Sequence, residues 1–165
     1  MAKSNFDVQV LLPVHNEAES IEATIREMYA EISKSARVQF ILCEDGSRDN
    51  TQEVLRRVAE TIPAKLLLST ARKGYSRAVR DGMMAMDAPY LLCLDSDGQC
   101  EPKDFAKFWA AREKADVIIG WRVNRADNWM RKAMSGVFYL IWKALYRCPI
   151  NDPSCPFMLT RLDVI

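Results

Sequence analysis

The sequence predicts a Rossmann-like α/β domain with a mostly parallel central sheet and helices on both faces. Short, continuously apolar runs alternate with amphipathic segments along most of its 165 residues. Runs that are apolar throughout are typical of parallel strands, because helical crossovers bury both faces of such a sheet. The composition, with 49% apolar and 27% charged residues, is ordinary for a globular protein. At this length we expect a single domain spanning residues 1–165.

Each predicted element follows from a local pattern. The predicted strands are Val8–Pro13, Val38–Cys43, Lys65–Ser69, Tyr90–Leu94 and Val117–Gly120. Apolar residues at helical spacing mark the first three helices: Ile21, Ile25, Met28 and Ile32; Val54, Leu55, Val58 and Ile62; and Ala78, Val79, Met83 and Met86. Asp49 is predicted to cap the second helix in a capping box with Gln52. Pro102 is predicted to open the fourth helix at its first turn.

The segment Met130–Tyr146 predicts a further helix with a broad apolar surface. It is too short to span a bilayer, and polar residues such as Lys143 interrupt it. We expect a core helix. The alternative is a helix that lies in a membrane interface, with Tyr139 and Trp142 at the level of the lipid headgroups.

Charge and residue inventory exclude several classes of function. A net charge of +1 gives no long-range attraction to nucleic acid. Cys43 and Cys93 lie in apolar strands and are predicted to be buried thiols, which favours a reducing, cytoplasmic setting. His15 is the only histidine, so a histidine-ligated metal or a histidine-based triad is excluded. The N-terminal residues lack the apolar core of a signal peptide.

Polar loops follow each predicted strand, at the edge of the sheet where α/β proteins bind ligands. After the fourth strand come Asp95, Asp97 and Gln99, with Ser96 and Gly98 providing a turn that lets the three face one point. Carboxylate and amide oxygens suit a hard divalent cation, with positions left open for substrate phosphates. These residues therefore predict a site for Mg²⁺ or Mn²⁺, between which the pattern does not choose.

Three motifs in order, Pro13–Glu17, Glu44–Thr51 and Asp95–Gln99, resemble the nucleotide-sugar half of the family 2 glycosyltransferases, which have the GT-A fold. The resemblance covers nearly the whole chain and is specific as a set. Within the family the chain is most similar to the polyprenyl-phosphate sugar transferases, such as dolichol-phosphate mannose synthase. The motifs that support this are Gly120-Trp121-Arg122, Arg131 with Ser135, and Asn151-Asp152-Pro153-Ser154.

The resemblance implies a donor site for a nucleotide-diphosphate sugar. The residues expected to bind the donor are Pro13, Val14, Asn16, Glu17, Asp45, Lys73, Asp95 and Ser96. Asp45 would accept a ring N–H of the base, a contact that discriminates strongly when the carboxylate is buried. Lys73, with Arg72, would lie beside the diphosphate at the start of the third helix; a solvated basic loop is the alternative. Asn16 and Glu17 are expected to begin the first helix, and the alternative to a nucleotide contact is a helix cap followed by an acid that the helix dipole favours.

The reaction implied by the family is direct displacement with inversion at the anomeric carbon. The cation held by Asp95, Asp97 and Gln99 would neutralise charge on the leaving diphosphate. For a lipid-phosphate acceptor, Arg122 and Arg131 would clamp the phosphate and Ser135 would add a hydroxyl. On a helix, Arg131 and Ser135 share one side. Asp152 is the candidate base if the acceptor is instead a hydroxyl group.

The predicted function is therefore an inverting, metal-dependent sugar transfer to a polyprenyl phosphate. One alternative is transfer to a saccharide hydroxyl in cell-envelope glycan synthesis, although the Gln-x-x-Arg-Trp motif of polysaccharide-building members does not occur. The other is a non-catalytic nucleotide-sugar-binding remnant, because the chain stops at Ile165 and the acceptor portion looks short. We expect a cytoplasmic protein, with peripheral contact at the cytoplasmic face of a membrane as a further expectation, and no nucleic-acid partner.

Overall fold

The computed structural model describes residues 4–96, 101–122, 134, 136–137, 139–140, 142, 145, 150, 152 and 155–164. Within them, a six-stranded sheet has the order β3-β2-β1-β4-β6-β5. The strands are β1 (Val8–Val14), β2 (Val38–Glu44), β3 (Ala64–Leu68), β4 (Tyr90–Cys93), β5 (Val117–Ile119) and β6 (Met158–Arg161). β1 pairs in parallel with β2 and β4, and β2 pairs in parallel with β3.

β6 is the exception in direction. It runs antiparallel to β4, with Tyr90 opposite Arg161 and Cys93 opposite Met158. In the continuously described parts of the chain, the helices that connect the strands are α1 (Ile21–Ile32), α2 (Thr51–Ala59), α3 (Tyr75–Met84) and α4 (Phe105–Ala111). A short 3₁₀ turn, Pro102–Asp104, leads directly into α4.

The core lies on both faces of β1 and β2. Because side chains alternate along a strand, Leu11, Ile41 and Cys43 point to one face, where they pack with Ala78 of α3. The residues of the opposite alternation are fully buried as well, as Phe40 shows. Right-handed crossovers place α1 and α2 on the face opposite α3. α1 contacts both α2 and α4, so α4 lies with them. The apolar strands are thus covered from both sides, as their composition predicts.

The predicted fold class is confirmed, and the five predicted strands each differ from the observed bounds by one residue or less at each end. The stripe of α1 is buried at all four predicted positions, and so are Val54, Leu55 and Val58 of α2. Ile62, assigned to the second helix, is also buried but lies beyond its end at Ala59. Met86, assigned to the third helix, lies just beyond its end but still packs in the core. β6 was not predicted.

Two helix starts differ from the prediction. α2 begins at Thr51 with Asn50 as its N-cap. The carboxylate of Asp49 accepts the Thr51 N–H at 3.0 Å instead of closing a capping box. Gln52 turns inward, and its amide donates to Glu44 and to the Ser69 carbonyl. α1 begins at Ile21, so Asn16 and Glu17 lie in the loop before it.

The described residues form two compact units, residues 1–118 with 157–165, and residues 119–156. In the second unit, the described residues between positions 134 and 145 are helical. Met134, Val137, Leu140 and Leu145 are 68, 57, 66 and 71% exposed. The expectation of a core helix is therefore wrong for these four side chains. Among the described residues no helix has both the length and the apolar character to cross a bilayer.

Candidate active site at the carboxyl ends of the strands

The loops that follow β1, β2, β3 and β4 enclose one cavity of about 260 Å³ in the first unit. Its walls are formed by Pro13, Val14, His15, Glu17, Asp45, Arg72, Tyr75, Ala78, Asp95 and Ser96. Six of the eight predicted donor-binding residues are therefore brought together. Asn16 and Lys73 are not part of this wall.

The loop after β2 is held in place by a buried acid, Glu44, at the last position of the strand. Glu44 is 1% exposed, and its carboxylate accepts the N–H of Ser47 and, at 2.7 Å, the Gln52 amide. The Ser69 N–H donates to it at 3.3 Å. Burial raises the pKa of Glu44, but these hydrogen bonds outweigh burial and leave that pKa below its ordinary value. Glu44 thus joins the ends of β2 and β3 and the start of α2.

Asp45, the next residue, connects two loops of the cavity. It is 4% exposed. Its Oδ1 accepts the Lys73 N–H at 2.6 Å, and its Oδ2 accepts the Gly74 N–H at 2.9 Å. A carboxylate has about four acceptor positions, so Asp45 retains capacity for a donor from a ligand while it holds the start of α3.

Gly46 explains how closely these loops approach. Its φ of +65° is left-handed, which favours glycine. A Cβ at this position would lie 2.4 Å from the Ala71 carbonyl carbon and from the Arg72 nitrogen. Backbone from the β2 loop therefore contacts backbone from the β3 loop directly, with no room for a side chain.

Hydrogen bonds connect the loop after β1 to the loop after β2 and to the start of α2. The Asn16 N–H donates to Ser47 Oγ at 2.9 Å, and Asn16 Oδ1 accepts the Arg48 N–H at 2.8 Å. The Glu17 N–H donates to Thr51 Oγ1 at 2.9 Å. Asn16 is therefore a link between loops and not a helix cap.

At the end of β4, the side chains of Ser96 and Asp95 have different surroundings. Ser96 is buried, and its hydroxyl lies 2.6 Å from Glu17 Oε1 and 3.0 Å from the Pro13 carbonyl. Asp95 faces the cavity, where its Oδ1 accepts a hydrogen bond from the Tyr75 hydroxyl at 2.9 Å. A partly exposed carboxylate at the rim of a polar cavity fits a hard cation.

Asp97 and Gln99 lie outside the described residues. Within the described part of the chain, no three His, Cys, Asp or Glu side chains are grouped to hold a metal ion. The three-residue metal site stays a prediction.

The basic loop after β3 uses its two cations differently. The Lys73 ammonium pairs with Asp81 of α3 at 2.6 Å, while Arg72 lines the cavity. His15 and Tyr75, for which no role was predicted, also line the cavity. His15 Nδ1 is a buried atom that has no hydrogen-bond partner among the described residues. No local pattern marks these residues, since only the packing of separate loops brings them together.

In the second unit, Arg122 and Asp152 form a two-fold hydrogen-bonded ion pair. Arg122 Nε lies 2.8 Å from Asp152 Oδ2, and its Nη2 lies 3.0 Å from Oδ1. The Asp152 side chain is 8% exposed and the Arg122 side chain 26%. Arg131 and Ser135 lie outside the described residues.

Solved structures share this architecture. Glucosyl-3-phosphoglycerate synthase from Mycobacterium tuberculosis, in complex with phosphoglyceric acid, aligns with a TM-score of 0.70 at 15% identity, over 97% of this chain and 58% of that one. A mannosyltransferase from Pyrobaculum calidifontis, in complex with GDP-Man and Mn²⁺, aligns with a TM-score of 0.61 at 22% identity, over 72% and 36%. The fold is that of the GT-A glycosyltransferases.

Sequence comparison gives the family. Residues 9–164 match the model of Glycosyl transferase family 2, and the chain belongs to that family. Two similar relatives are undecaprenyl-phosphate 4-deoxy-4-formamido-L-arabinose transferases, from Aeromonas hydrophila at 31% identity and Serratia proteamaculans at 27%. Each alignment covers 96% of this chain and 50% of the relative. The chain thus spans about half the length of these curated relatives.

Proposed function

We propose that this chain is the donor-binding part of an inverting glycosyltransferase that moves a sugar from a nucleotide diphosphate to a polyprenyl phosphate. The observation that carries the proposal is the cavity at the carboxyl ends of β1, β2 and β4, where buried Asp45 and partly exposed Asp95 face the same space. Family membership supports sugar transfer, and the names of the curated relatives support a polyprenyl-phosphate acceptor.

Each end of the cavity suits one part of a nucleotide sugar. Asp45 would accept a ring N–H of the base. The hydrogen bonds from the Lys73 and Gly74 N–H groups orient its carboxylate for that contact. Pro13 and Val14 offer an apolar wall, while Glu17 and Ser96 brace the loops behind it. Arg72 lines the cavity where Lys73 was expected to do so, and we assign the contact with the diphosphate to Arg72.

Asp95, with Asp97 and Gln99, would hold Mg²⁺ or Mn²⁺. Such an ion neutralises charge on the diphosphate as it leaves. The solved mannosyltransferase complex contains Mn²⁺, which supports a divalent cation and leaves the choice of metal to experiment. The contribution of the protein is to hold Asp95 at the mouth of β4 and to orient the donor against Asp45.

The ion pair in the second unit favours an anionic acceptor over a hydroxyl. Asp152 already accepts two hydrogen bonds from Arg122, and a carboxylate engaged in this way is a poor general base. A lipid phosphate needs no base. Asp152 would instead orient the Arg122 guanidinium toward the phosphate, with Arg131 and Ser135 completing the clamp.

We further propose that the helix between positions 134 and 145 lies on an anionic membrane surface at its cytoplasmic face. Four of its apolar side chains, Met134, Val137, Leu140 and Leu145, are largely exposed. Residues 119–156 contain six lysine and arginine residues against two aspartates, whereas the whole chain carries a net charge of only +1. Exposed apolar residues combined with clustered cations are typical of helices that bind the surface of anionic bilayers.

Transfer of labelled sugar tests the acceptor assignment. The protein is incubated with UDP- and GDP-sugars, Mn²⁺, and either undecaprenyl phosphate in vesicles or an oligosaccharide. We expect labelled lipid, and we expect Arg122→Ala to lower the rate at least tenfold, while Arg56→Ala, which alters an exposed arginine of α2 outside the cavity, does not. Label in the oligosaccharide alone would favour the hydroxyl alternative. Donor binding without transfer to any acceptor would favour a non-catalytic remnant.

Vesicle sedimentation tests the membrane assignment. The chain should sediment with vesicles that contain phosphatidylglycerol and remain in solution with neutral phosphatidylcholine, because the attraction is partly electrostatic. Leu140→Ser should weaken sedimentation, since it removes an exposed apolar side chain. Equal sedimentation of the variant and the parent would contradict the assignment.

A further inference from the structure

The first residue of α3 makes a hydrogen bond across the cavity to the end of β4. The Tyr75 hydroxyl donates to Asp95 Oδ1 at 2.9 Å, and both residues line the cavity. We propose that Tyr75 is a positioning residue, whose hydroxyl fixes the Asp95 carboxylate in the orientation that receives the cation and the donor. This inference rests on the proposed function and adds a residue that neither the sequence motifs nor the comparisons assign.

The backbone that carries Tyr75 is itself fixed at the other end of the cavity. Lys73 and Gly74 precede Tyr75, and Asp45 accepts the backbone N–H groups of both. Gly74 has a φ of +94°, a conformation that glycine adopts without strain and that turns the chain into the helix. The Gly74 carbonyl then accepts the N–H groups of Arg77 and Ala78. The consecutive residues Lys73, Gly74 and Tyr75 therefore connect Asp45, proposed to bind the base, to Asp95, proposed to bind the metal.

The exposure of Tyr75 indicates a role for its hydroxyl group. The residue is 58% exposed, so burial of the ring explains little of its placement. Tyrosine has only two side-chain torsions, and its hydroxyl is held in place at a lower entropic cost than the end of a lysine or arginine. A donor at this position can fix a neighbouring carboxylate without neutralising it.

The contact leaves Asp95 able to bind. Tyr75 uses one acceptor position on Oδ1, and a carboxylate has about four. Without the hydroxyl, Asp95 would rotate among its staggered conformers, and the cation would have to select the productive one. Residues that orient metal ligands typically contribute 10- to 100-fold to metal affinity. Because this contact is partly exposed, we expect an effect near the lower limit.

The test is the Mn²⁺ dependence of nucleotide binding in Tyr75→Phe, which keeps the ring and removes the hydroxyl. Titration calorimetry gives the affinity for UDP and GDP at a series of Mn²⁺ concentrations, and the affinity for uridine and guanosine in EDTA. We expect the Mn²⁺ concentration for half-maximal diphosphate binding to rise about tenfold. Nucleoside binding without metal should be unchanged, as should the thermal unfolding temperature. Tyr29→Phe, a half-buried tyrosine on α1, is the matched control and should behave as wild type.

The possible outcomes separate this inference from the function on which it rests. An unchanged Mn²⁺ dependence in Tyr75→Phe would overturn the positioning role while leaving the donor site intact. An equal loss of metal-dependent and metal-free binding would also overturn it, because Tyr75 would then be only a wall of the cavity. Absence of Mn²⁺-dependent binding in the wild type would instead reject the proposed donor site, and this inference with it.

Discussion

The loops of the first unit and the helix of the second unit use apolar and polar residues in opposite ways. Around the cavity, buried acids such as Glu44 and Asp45 accept backbone N–H groups from neighbouring loops. Between positions 134 and 145, four apolar side chains are exposed, namely Met134, Val137, Leu140 and Leu145, with Leu140 at 66%. Polar groups near the cavity are thus buried and hydrogen-bonded within the first unit, whereas four apolar side chains of the second unit are exposed.

The largest expected contrast comes from the same leucine truncation in the two regions. Leu12 of β1 is fully buried, so Leu12→Ala should lower the free energy of unfolding by about 3 kcal/mol. Leu140→Ala should change it by less than about 0.5 kcal/mol, because the side chain is already exposed. Denaturant unfolding followed by circular dichroism measures both. Similar losses in the two variants would show that the helix is buried in the folded protein.

A pair of glycine substitutions gives the next largest effect. Gly46→Ala introduces a Cβ against the Ala71–Arg72 backbone at a left-handed φ, and we expect a loss of about 2–3 kcal/mol. Gly136 is helical and its Cβ position is open, so Gly136→Ala should stabilise its helix by about 0.5–1 kcal/mol. Thermal and denaturant unfolding measure the loss of stability in the first variant and the gain in the second. A tolerated Gly46→Ala would mean that the two loops separate easily.

The pH dependence of stability gives a smaller and more specific test of the cavity loops. The pKa of Glu44 lies below its ordinary value because hydrogen bonds from Ser47, Gln52 and Ser69 outweigh burial. Its contribution is therefore fully present above the unfolded-state pKa, near pH 4.3, and is lost as the pH falls through the folded-state pKa. Glu44→Gln should cost about 1–2 kcal/mol at pH 7.

The difference between the wild type and Glu44→Gln should then shrink as the pH is lowered from about 6 to 3. Glu53→Gln, at an exposed site on α2, serves as the control and should show little pH-dependent difference. A Glu44→Gln deficit that is constant across this range would contradict the assignment of an ionised, hydrogen-bonded Glu44.

Local pattern predicted most of the fold because the strands are apolar throughout and the helices are strongly amphipathic. The buried stripe from Ile21 to Ile32 is an example. β6 was missed because its sequence, Met-Leu-Thr-Arg, ends in two polar residues and lacks the continuous apolar run that marked the other strands. The capping box failed for a related reason, since Gln52 satisfies buried Glu44 and the Ser69 carbonyl, partners that adjacent sequence does not reveal.

The site shows the same limit. Asp45 and Asp95 were found because each follows a strand, and strand ends meet at one edge of a parallel sheet. His15 and Tyr75 were not, because their positions depend on how loops from different strands pack. The exposure of Leu140 could not be predicted from the sequence either, because an apolar stripe has the same sequence pattern on a buried and on an exposed helix face.

The most direct test of the central claim is calorimetric titration of UDP and GDP into the wild type and Asp45→Asn, with Mn²⁺ and with EDTA. We expect one of the two nucleotides to bind the wild type in Mn²⁺, to bind at least tenfold more weakly in EDTA, and to lose a similar factor in Asp45→Asn. Binding that is absent for both nucleotides, or that ignores both the metal and Asp45, would contradict a donor site at the ends of β1, β2 and β4.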